Sequence, residues 1–465
     1  MATMVAADLG AQSGRVAVGR FDGMLHGLRV AARDAGRVES VGVDSWAVDF
    51  GLLDRRGHLL QNPVHYRDTR RAAAVDRVLA EVSARELYER TGIQLMPINT
   101  VFELAAMVAE SDPVLDVADR LLMIPDLFHF WLSGTTVSEY TNATTTQCLD
   151  ARSRAWAGDL LERLGVPGEL LPDVVEPGTK LGPMLPDVAE EAGLANIMIV
   201  AGATHDTASA VAAIPFTSPQ SVFISAGTWS LVGVEVPVPR IDDATYAANL
   251  TNEGGVAGTM RVLRNVTGLW LLHECRRAWE REGAAVSFEQ LVAEAADEPP
   301  LRSLFDPDDQ SLAGPGVTRR IAELCAATGE PVPETRAAVV RATLESLALK
   351  HAQTIDLVRD ATGVSPSVVH VVGGGARNES LCRWTASASL LPVVAGPVEA
   401  TEIGNLLVQG IALGEIGSLE EARQIAHDSF PFETYDPEVN ALWQEARARF
   451  DALTSADGQL TEVEA

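Results

Sequence analysis

The sequence predicts an α/β protein made of two related domains that face one cleft. The chain has 465 residues, which exceeds one ordinary hydrophobic core and favours two domains of roughly 200 residues each. Strand-like, glycine-rich segments are followed by helical segments, and this order starts again near residue 221. Because no short-period repeat is present, the recurrence indicates two similar domains rather than a solenoid or a propeller.

The composition disfavours several classes of partner. Hydrophobic residues make up 47% of the chain and charged residues 22%, as in ordinary globular proteins. The 36 basic and 64 acidic side chains give a formal net charge of -28, which disfavours a nucleic-acid or anionic-membrane surface. The N-terminus has no secretory signal pattern, and no apolar run approaches the ~20 residues of a membrane span. We therefore expect a cytoplasmic protein.

Cysteine and lysine usage argues against zinc sites, disulfides and two common nucleotide-binding motifs. The cysteines have no C-x-x-C spacing, so we expect free thiols rather than a zinc site or disulfides. They are Cys148, Cys275, Cys325 and Cys382. Lysine occurs only as Lys180 and Lys350, neither of them in a G-x-x-x-x-G-K-[ST] loop or a V-A-I-K strand. Any nucleotide must therefore be bound in another way.

The first half begins with strand-like segments and then becomes helical. Residues 4–9 predict a strand, and after a glycine turn residues 15–21 continue the strand-like pattern. Residues 38–54 predict two strands around a bend, and a helix-rich region runs from about 71 to 165. An apolar strand at 197–200 then leads into a helix of small residues.

The second half repeats this order. Residues 221–236 predict two strands about a Gly-Thr turn, and residues 268–282 and 335–360 predict helices. Residues 368–378 predict a strand that ends in a glycine loop before another helix. The polar tail from about residue 454 is expected to fray.

The stretch DLGAQSGR, residues 8–15, suits phosphate binding. Asp8 ends an apolar strand, and the loop after it contains Gly10, Ser13 and Gly14. Glycines let backbone N–H groups approach phosphate oxygens, and a strand-end aspartate can hold a metal bound to those oxygens. An ordinary hairpin turn with an exposed aspartate fits this stretch equally well.

Two later loops have similar chemistry. SAGTWS, residues 225–230, places a Gly-Thr turn between apolar strands, although an ordinary hairpin is the favoured interpretation of this motif taken alone. VVGGGARN, residues 371–378, has three glycines between a buried strand and a helix, where a nucleotide can lie against the backbone. The G-x-G-x-x-G spacing of dinucleotide folds is absent, which disfavours a dehydrogenase.

Polar and aromatic residues also cluster in the first half. The set suits a polyhydroxylated ligand, or else a surface salt bridge near a core tryptophan. Its members are Trp46, Asp49, Tyr66, Arg67 and Asp68.

The segment THDTASAV, residues 204–211, raises a question about its carboxylate. Burying Asp206 costs free energy unless the carboxylate is paired, hydrogen-bonded or used. His205 before it fits a hydrogen-bonded core histidine, the usual role of an isolated histidine. The threonine-rich segment TNATTTQ, residues 141–147, predicts a β-segment rather than a site.

In this order, the loops and the cleft aspartate together resemble the sugar kinases of the FGGY family, which share the actin and hexokinase architecture. Further segments extend the resemblance from residue 4 to about 415. They are GVDSWAVDF, YRDTR, TGIQLMPINT, MIPD, EYTNATTTQ, SAGTWSL, NEGG, RVLRNVTGLWLL and AGPVEATEIGN. The resemblance implies two actin-like (ribonuclease H-like) ATPase domains around a central cleft.

The resemblance also implies a division of labour between the domains. Residues 1–214 would form the N-terminal FGGY domain, which binds sugar and phosphate, and residues 215–465 the nucleotide-binding C-terminal FGGY domain. The segment between Arg20 and Val41 is short for the family, which implies a loss of strands from the first sheet and an open sheet edge.

The implied reaction is phosphorylation of a sugar hydroxyl by ATP with Mg²⁺, namely the C1 hydroxyl of L-rhamnulose in L-rhamnose catabolism. Asp206 would be the general base, and Asp8 would help to hold the metal through water. The partners would be small molecules, with no nucleic acid or membrane, and the protein a monomer or weak homodimer. The matching ATP positions are Ala11, Gln12, Ser13, Gly14, Arg15, Thr228, His273 and Gly374. The matching sugar positions are Ala47, His205, Asp206, Thr207 and Asn265.

Three departures from the family pattern leave alternatives open. Ala47 stands where a glycine is usual, so its methyl group narrows the expected sugar pocket and another ketose or polyol remains a candidate. His273 stands where glutamine is expected near the nucleotide. The shortened first domain leaves open a non-catalytic protein that binds sugar or nucleotide.

Overall fold

The computed structural model describes most of the chain. The described residues are 3–9, 17–35, 37–284, 286–312 and 316–457.

The chain forms two compact units. Unit 1 comprises Met1–Pro215, Glu235–Leu263 and Glu399–Phe430. Unit 2 comprises Phe216–Val234, Arg264–Val398 and Pro431–Ala465. The boundary at residue 214 stays a prediction.

Strands and helices alternate along the described residues. The strands are β1 (Met4–Leu9), β2 (Ser40–Ser45), β3 (Phe50–Leu53), β4 (Arg120–Met123), β5 (Ser138–Glu139), β6 (Leu149–Asp150), β7 (Ala155–Trp156), β8 (Val174–Val175), β9 (Thr179–Pro183), β10 (Met198–Ala201), β11 (Ser221–Ala226), β12 (Trp229–Val236), β13 (Thr251–Gly254), β14 (Met260–Thr267), β15 (Val368–Val372), β16 (Val393–Ala395) and β17 (Glu433–Tyr435). The helices are α1 (Ala17–Ala35), α2 (Arg70–Glu81), α3 (Ala84–Thr91), α4 (Thr100–Glu110), α5 (Val114–Val117), α6 (Ile124–Ser133), α7 (Tyr140–Ala143), α8 (Gly158–Arg163), α9 (Pro186–Ala192), α10 (Asp206–Ala212), α11 (Asp243–Ala247), α12 (Trp270–Arg281), α13 (Phe288–Ala296), α14 (Val317–Thr328), α15 (Arg336–Thr362), α16 (Glu379–Ser389), α17 (Ala400–Leu413), α18 (Leu419–Ser429) and α19 (Ala441–Asp457).

Unit 1 is built on a four-stranded sheet in the order β1-β2-β10-β9. β1 and β10 pair with β2 in parallel, whereas β9 is antiparallel to β10. Val41 and Val43 of the central strand β2 are fully buried, as expected for a strand covered on both faces. Among the described residues no strand pairs with the outer edge of β1, so β1 is an edge strand there.

Helices α10 and α17 pack against each other in unit 1 because their contact surfaces are made of small residues. Ala208 and Ala212 of α10 are buried together with Val408 of α17. Gly42 on β2 also lets α17 approach, since a Cβ there would lie 2.5 Å from Oδ1 of Asn405. These close approaches fix the position of α10, and therefore of its first residue, Asp206.

One strand prediction is wrong near the N-terminus. The strand-like pattern at residues 15–21 leads instead into helix α1, which begins at Ala17. Met24, Leu25 and Leu28 are buried and lie on one face of this helix. Burial at the helical period therefore overrides the strand propensity of the preceding valines.

The predicted β-segment at residues 141–147 is also wrong. Residues Tyr140–Ala143 form α7, and Thr144–Thr146 continue it as a 3-10 turn. The hydroxyl of Thr145 donates to the carbonyl of Asn142 at 2.7 Å, and its two neighbouring threonines bond back in the same way. Threonine is compatible with a tight helical turn when its hydroxyl satisfies a carbonyl three residues back.

Unit 2 contains a sheet in which β11 and β15 are parallel neighbours. β12 is antiparallel to β11, β16 is parallel to β15, and β17 is antiparallel to β16. The long helix α15 contributes buried residues to a large apolar cluster in this unit. Thr335 caps its first turn through the N–H of Ala338, and Gly363 ends it in the left-handed region.

The other predicted elements are confirmed. The two strands of 38–54, the helix-rich region from about 71 to 165, the strand before Asp206 and the elements of the second half all form. The described part of the tail is helical to Asp457. The four cysteines are buried, free thiols. Within the described part of the chain, every helix is too short or too polar to cross a bilayer.

Candidate active site

The carboxyl ends of three neighbouring strands bring the predicted acidic residues of unit 1 together. Asp8 of β1 is paired in register with Asp44 of β2. The next residue of β2, Ser45, forms a parallel bridge with His205 and bonds its N–H to the carbonyl of Thr204 at 2.9 Å. In a parallel sheet these strand ends are where ligands bind.

The two carboxylate oxygens of Asp206 have different surroundings. Oδ1 accepts hydrogen bonds from the backbone N–H and the hydroxyl of Thr207, and it lies 3.4 Å from Nε2 of His205. Oδ2 accepts no hydrogen bond from the described residues. The Asp206 side chain is 32% exposed, so most of the desolvation free energy expected for a buried carboxylate is avoided. One oxygen is therefore held in place while the other can accept a proton.

His205 lies between this carboxylate and a buried ion pair. Its Nδ1 is 3.1 Å from NH2 of Arg261 and 3.4 Å from Oε2 of Glu253. Arg261 is fully buried, and its NH1 lies 3.2 Å from Oε2 of Glu253. The predicted core character of His205 is confirmed, since only 5% of it is exposed.

A second buried acid, Glu139, holds the loop that precedes Asp206. Its Oε2 accepts hydrogen bonds from the N–H and the hydroxyl of Thr204, at 2.9 and 2.7 Å. Both polar groups of Thr141 also donate to this carboxylate, and Oγ1 of Thr141 accepts from the N–H of His205. Burial raises the pKa of Glu139, and these donors oppose the shift.

The carboxylates at the strand ends suit a hard divalent cation. Asp44 is fully buried, and its Oδ2 accepts from Asn405 while its Oδ1 has no partner among the described residues. Burial, and next the charge of Asp8, raise the pKa of Asp44 well above its usual range. No group of three or more His, Cys, Asp or Glu within the described ranges could hold a metal. Asp8 and Asp44, paired in register, would supply at most two carboxylates to such a cation, and water and phosphate oxygens would complete its shell.

The loop that carries Ala47 is strained. Val48 has a φ of 66°, a conformation that β-branched residues rarely adopt. The N–H of Asp49 bonds to the carbonyl of Ala47 at 2.9 Å, and the hydroxyl of Thr100 bonds to the carbonyl of Val48 at 2.7 Å. The loop, which includes the half-buried Ala47, is therefore held in one conformation.

Asp49 supports this loop rather than pointing at solvent. It is buried, and it accepts from the indole N–H of Trp46 and from Arg71, both at 2.8 Å. Burial raises the pKa of Asp49 to about 6, although Arg71 opposes the shift. Nearby, the guanidinium of Arg67 lies over the ring of Tyr66 at 5.4 Å.

In unit 2 the two glycine loops meet. Ser225 of β11 is in register with Val372 of β15, so the loops after these parallel strands lie side by side. A Cβ on Gly375 would lie 2.4 Å from Cβ of Ala226, and one on Gly373 would lie 3.1 Å from its carbonyl oxygen. Only glycine allows this close approach.

The first turn of α12 joins the same place. The N–H of Trp270 bonds to the carbonyl of Thr228 at 3.3 Å. Gly268 is needed here, since a Cβ would lie 2.7 Å from the carbonyl oxygen of Thr228. His273 follows one turn later on α12. A Gly-Thr turn, a glycine loop and a helix N-terminus therefore adjoin, as in phosphate-binding sites.

The remaining predicted residues have definite places. Gly374 is exposed and begins a 3-10 turn, and Asn265 is half-buried on β14. Burial lowers the pKa of His273, whose ring lies 5.1 Å from that of Phe288. The predicted phosphate positions Ala11, Gln12, Ser13, Gly14 and Arg15 lie outside the described residues.

Several residues next to Asp206 were missed by reasoning from the sequence. Glu253 and Arg261 belong to the segments NEGG and RVLRNVTGLWLL, and Glu139 to EYTNATTTQ. These segments carried the resemblance, but no pattern within them indicates that these three charged side chains are buried. A charged residue inside a strongly matching segment is the signal that could have found them.

Comparison with known proteins identifies the family. Residues 29–213 match the model of the FGGY family of carbohydrate kinases, N-terminal domain, and residues 222–413 match its C-terminal domain. The rhamnulokinase of Bacteroides thetaiotaomicron is 40% identical over 428 residues, which cover 92% of this chain and 87% of that protein. The rhamnulokinase of Pectobacterium carotovorum is 40% identical over 421 residues, covering 90% and 83%.

Solved structures agree on the fold. A gluconate kinase from Lactobacillus acidophilus superposes with a TM-score of 0.80 at 16% identity, covering 99% of this chain and 98% of its own. A xylulose kinase from the same organism gives 0.81 at 16% identity, covering 100% and 99%. The predicted fold class is confirmed, an α/β protein with the two-domain, actin-like kinase fold. With both family domains matched and close relatives covered over most of their length, the chain belongs to the FGGY family of carbohydrate kinases.

Proposed function

We propose that this kinase transfers the γ-phosphoryl group of ATP to the C1 hydroxyl of L-rhamnulose, giving L-rhamnulose 1-phosphate in L-rhamnose catabolism. The observation that carries the proposal is the Asp206 carboxylate, with Oδ1 held by Thr207 and Oδ2 left to accept a proton. The identity of 40% with two rhamnulokinases supports the choice of sugar.

In the proposed reaction Asp206 is the general base. Its Oδ2 takes the proton of the C1 hydroxyl while that oxygen attacks the γ-phosphorus, and the bond from phosphorus to the β-γ bridging oxygen breaks to release ADP. Phosphoryl transfer depends mainly on positioning and charge neutralisation, and a base of this kind contributes ~10² to 10⁴-fold. His205, Thr207, Ala47 and Asn265 are the proposed sugar contacts.

ATP is proposed to bind the adjoining loops of unit 2 through Thr228, Gly374 and His273, and the loop Ala11 to Arg15 is proposed to contact its phosphates. Sugar kinases of this family use ATP with a divalent metal. We propose Mg²⁺, held by Asp8 through water, which would neutralise phosphate charge when bound. The cytoplasmic location and the monomer or weak homodimer stay predictions.

Ala47 favours a second candidate, a kinase for another ketose or polyol. The residue lies in the strained loop before Val48, where its methyl group cannot easily move aside. A smaller pocket would exclude sugars with a large substituent at this position and change the preference among ketoses.

The test is ADP release by the purified protein with Mg-ATP and a panel of L-rhamnulose, L-fuculose, L-ribulose, D-xylulose and glycerol. We expect L-rhamnulose to give the highest kcat/KM, with phosphorus attached to C1 in the product by NMR. A higher kcat/KM with another sugar would establish the second candidate. No turnover in a folded protein that binds ATP would favour a non-catalytic binding protein.

The role of Asp206 is tested by Asp206→Asn. We expect kcat to fall ~10² to 10⁴-fold, with the KM for ATP little changed. Asp187→Asn is the matched control, because Asp187 is an exposed carboxylate at the start of α9. An Asp206→Asn protein with wild-type turnover would exclude Asp206 as the base.

A further inference from the structure

Three nitrogens of Arg261 face three different partners, and two of them, Nε and NH2, lie in hydrogen-bonding geometry. Nε donates to the carbonyl of Gly254 at 2.9 Å, NH1 faces Glu253 at 3.2 Å, and NH2 faces Nδ1 of His205 at 3.1 Å. The guanidinium is fully buried, so it cannot turn to solvent. Its orientation is set by the hairpin of β13 and β14.

This arrangement selects one tautomer of His205. A guanidinium has only donors, so an Arg261 N–H directed at Nδ1 of His205 requires Nδ1 to be the acceptor. The proton of a neutral imidazole must then be on Nε2. Nε2 is the atom that lies 3.4 Å from Oδ1 of Asp206.

The competing arrangement is a proton on Nδ1 donated to Glu253. Nδ1 lies 3.4 Å from Oε2 of Glu253, farther than from Arg261. A proton on Nδ1 would also point at the N–H groups of Arg261, and two donors that face each other form no hydrogen bond. The charge of Glu253 is offset without a proton on Nδ1, because NH1 of Arg261 lies 3.2 Å from the same Oε2.

We propose that Arg261, compensated by Glu253, is a positioning residue that holds His205 as the Nε2–H tautomer, so that His205 donates to Oδ1 of Asp206. With Oδ1 bound by His205 and Thr207, Oδ2 is the oxygen directed to the sugar hydroxyl. Nothing in the reaction requires Arg261 to touch sugar or ATP. The inference rests on the proposed role of Asp206.

The first test reads the tautomer in the unmodified protein. The protein is labelled with ¹⁵N-histidine, and long-range ¹H–¹⁵N correlation spectra are recorded at neutral pH. His205→Asn, which removes one set of signals, assigns the resonances. We expect protonation at Nε2 alone. Protonation at Nδ1, or at both nitrogens, would overturn the proposal. This readout does not depend on turnover, so it stands even if the substrate proposal fails.

The second test compares Arg261→Met with Arg261→Lys. Arg261→Met removes the donor, and we expect both tautomers of His205 to appear and kcat to fall, by up to ~100-fold for a misplaced catalytic group. Lysine is also only a donor, so Arg261→Lys should recover part of both the tautomer preference and kcat. The KM for ATP should be unchanged in both.

The matched control is Arg90→Met. Arg90 belongs to unit 1 and forms ion pairs with Asp150 and Asp159, without contact to His205. We expect wild-type kcat and an unchanged His205 spectrum. A folded Arg261→Met protein with wild-type kcat and a single Nε2–H tautomer would overturn the positioning role. If Arg261→Met does not fold, the spectrum of the unmodified protein still tests the proposal, because protonation of His205 at Nδ1 would overturn it.

Discussion

Gly404 of α17 lies so close to Ser209 of α10 that a methyl group on Gly404 would be 1.8 Å from the carbonyl oxygen of Ser209. The contact joins α17 to the helix that begins with Asp206, and backbone cannot move aside as a side chain can. We predict that Gly404→Ala forces the helices apart. Overpacking of this kind costs ~1–3 kcal/mol of stability, and kcat should fall because Asp206 moves. Thermal unfolding and ADP release measure the two effects.

Gly27→Ala is the control for that substitution. Gly27 is a helical glycine of α1 with no atom within 4 Å of a Cβ placed on it. Alanine there should be neutral or stabilising by up to ~1 kcal/mol, since it is the better helix former. If Gly404→Ala also keeps wild-type stability and kcat, α10 is not held by this contact.

Val48 allows a test of strain in the Ala47 loop. Its φ of 66° penalises any residue with a Cβ, and the side chain is buried. Val48→Ala and Val48→Gly both lose the packing, but only glycine relieves the strain, by ~1–2 kcal/mol. We predict that Val48→Gly is the more stable variant, the reverse of the usual order. Denaturant unfolding of the two variants decides, and greater stability of the alanine variant would show that the loop is unstrained.

Glu139 should be essential for the geometry of the loop before Asp206. Glu139→Gln replaces one acceptor oxygen by an NH₂ group, which must face the donors of Thr204 or Thr141. A buried donor left without an acceptor costs ~1–3 kcal/mol, and we expect kcat to fall with it. Glu176→Gln is the control because its carboxylate, paired with Arg154, is 61% exposed. Equal behaviour of the two variants would contradict the prediction.

His351 makes the stability of unit 2 depend on pH. It is buried between the hydroxyls of Ser230 and Thr385, and burial lowers its pKa to about 4. The unfolded chain, with a pKa of ~6.5, takes up the proton first as pH falls. The stability contributed by neutral His351 is thus fully present above pH ~6.5 and lost as pH falls toward 4, by roughly 1.4 kcal/mol per unit.

The measurement compares wild type with His351→Gln by thermal unfolding between pH 7 and 4. The wild type should lose more stability over this range, with a difference of ~3 kcal/mol at the low end. The buried His129 is present in both proteins, so its contribution cancels. Parallel stability curves for the two proteins would show that His351 is not held neutral.

Local patterns in the sequence were enough to predict most elements of the fold. The strand before Asp206, the Gly-Thr turn around Thr228 and the loop at Gly374 were predicted because apolar runs and glycines act over a few residues. Where two local signals conflicted, the prediction was wrong. Valine propensity favoured a strand near residue 17, and threonine propensity favoured one at 141–147, yet both segments are helical.

By itself, then, the sequence determined the α/β class and the family, because these depend on short motifs and periodic burial; the role of Asp206 stays a prediction. Tertiary structure decided what surrounds Asp206. Arg261 reaches His205 from 56 residues away, and Glu139 reaches Thr204 from 65 residues away. Such contacts exist only after the strands of unit 1 have paired, since buried charges are stable only where folding supplies their partners. No local sequence pattern indicates which residues become these partners.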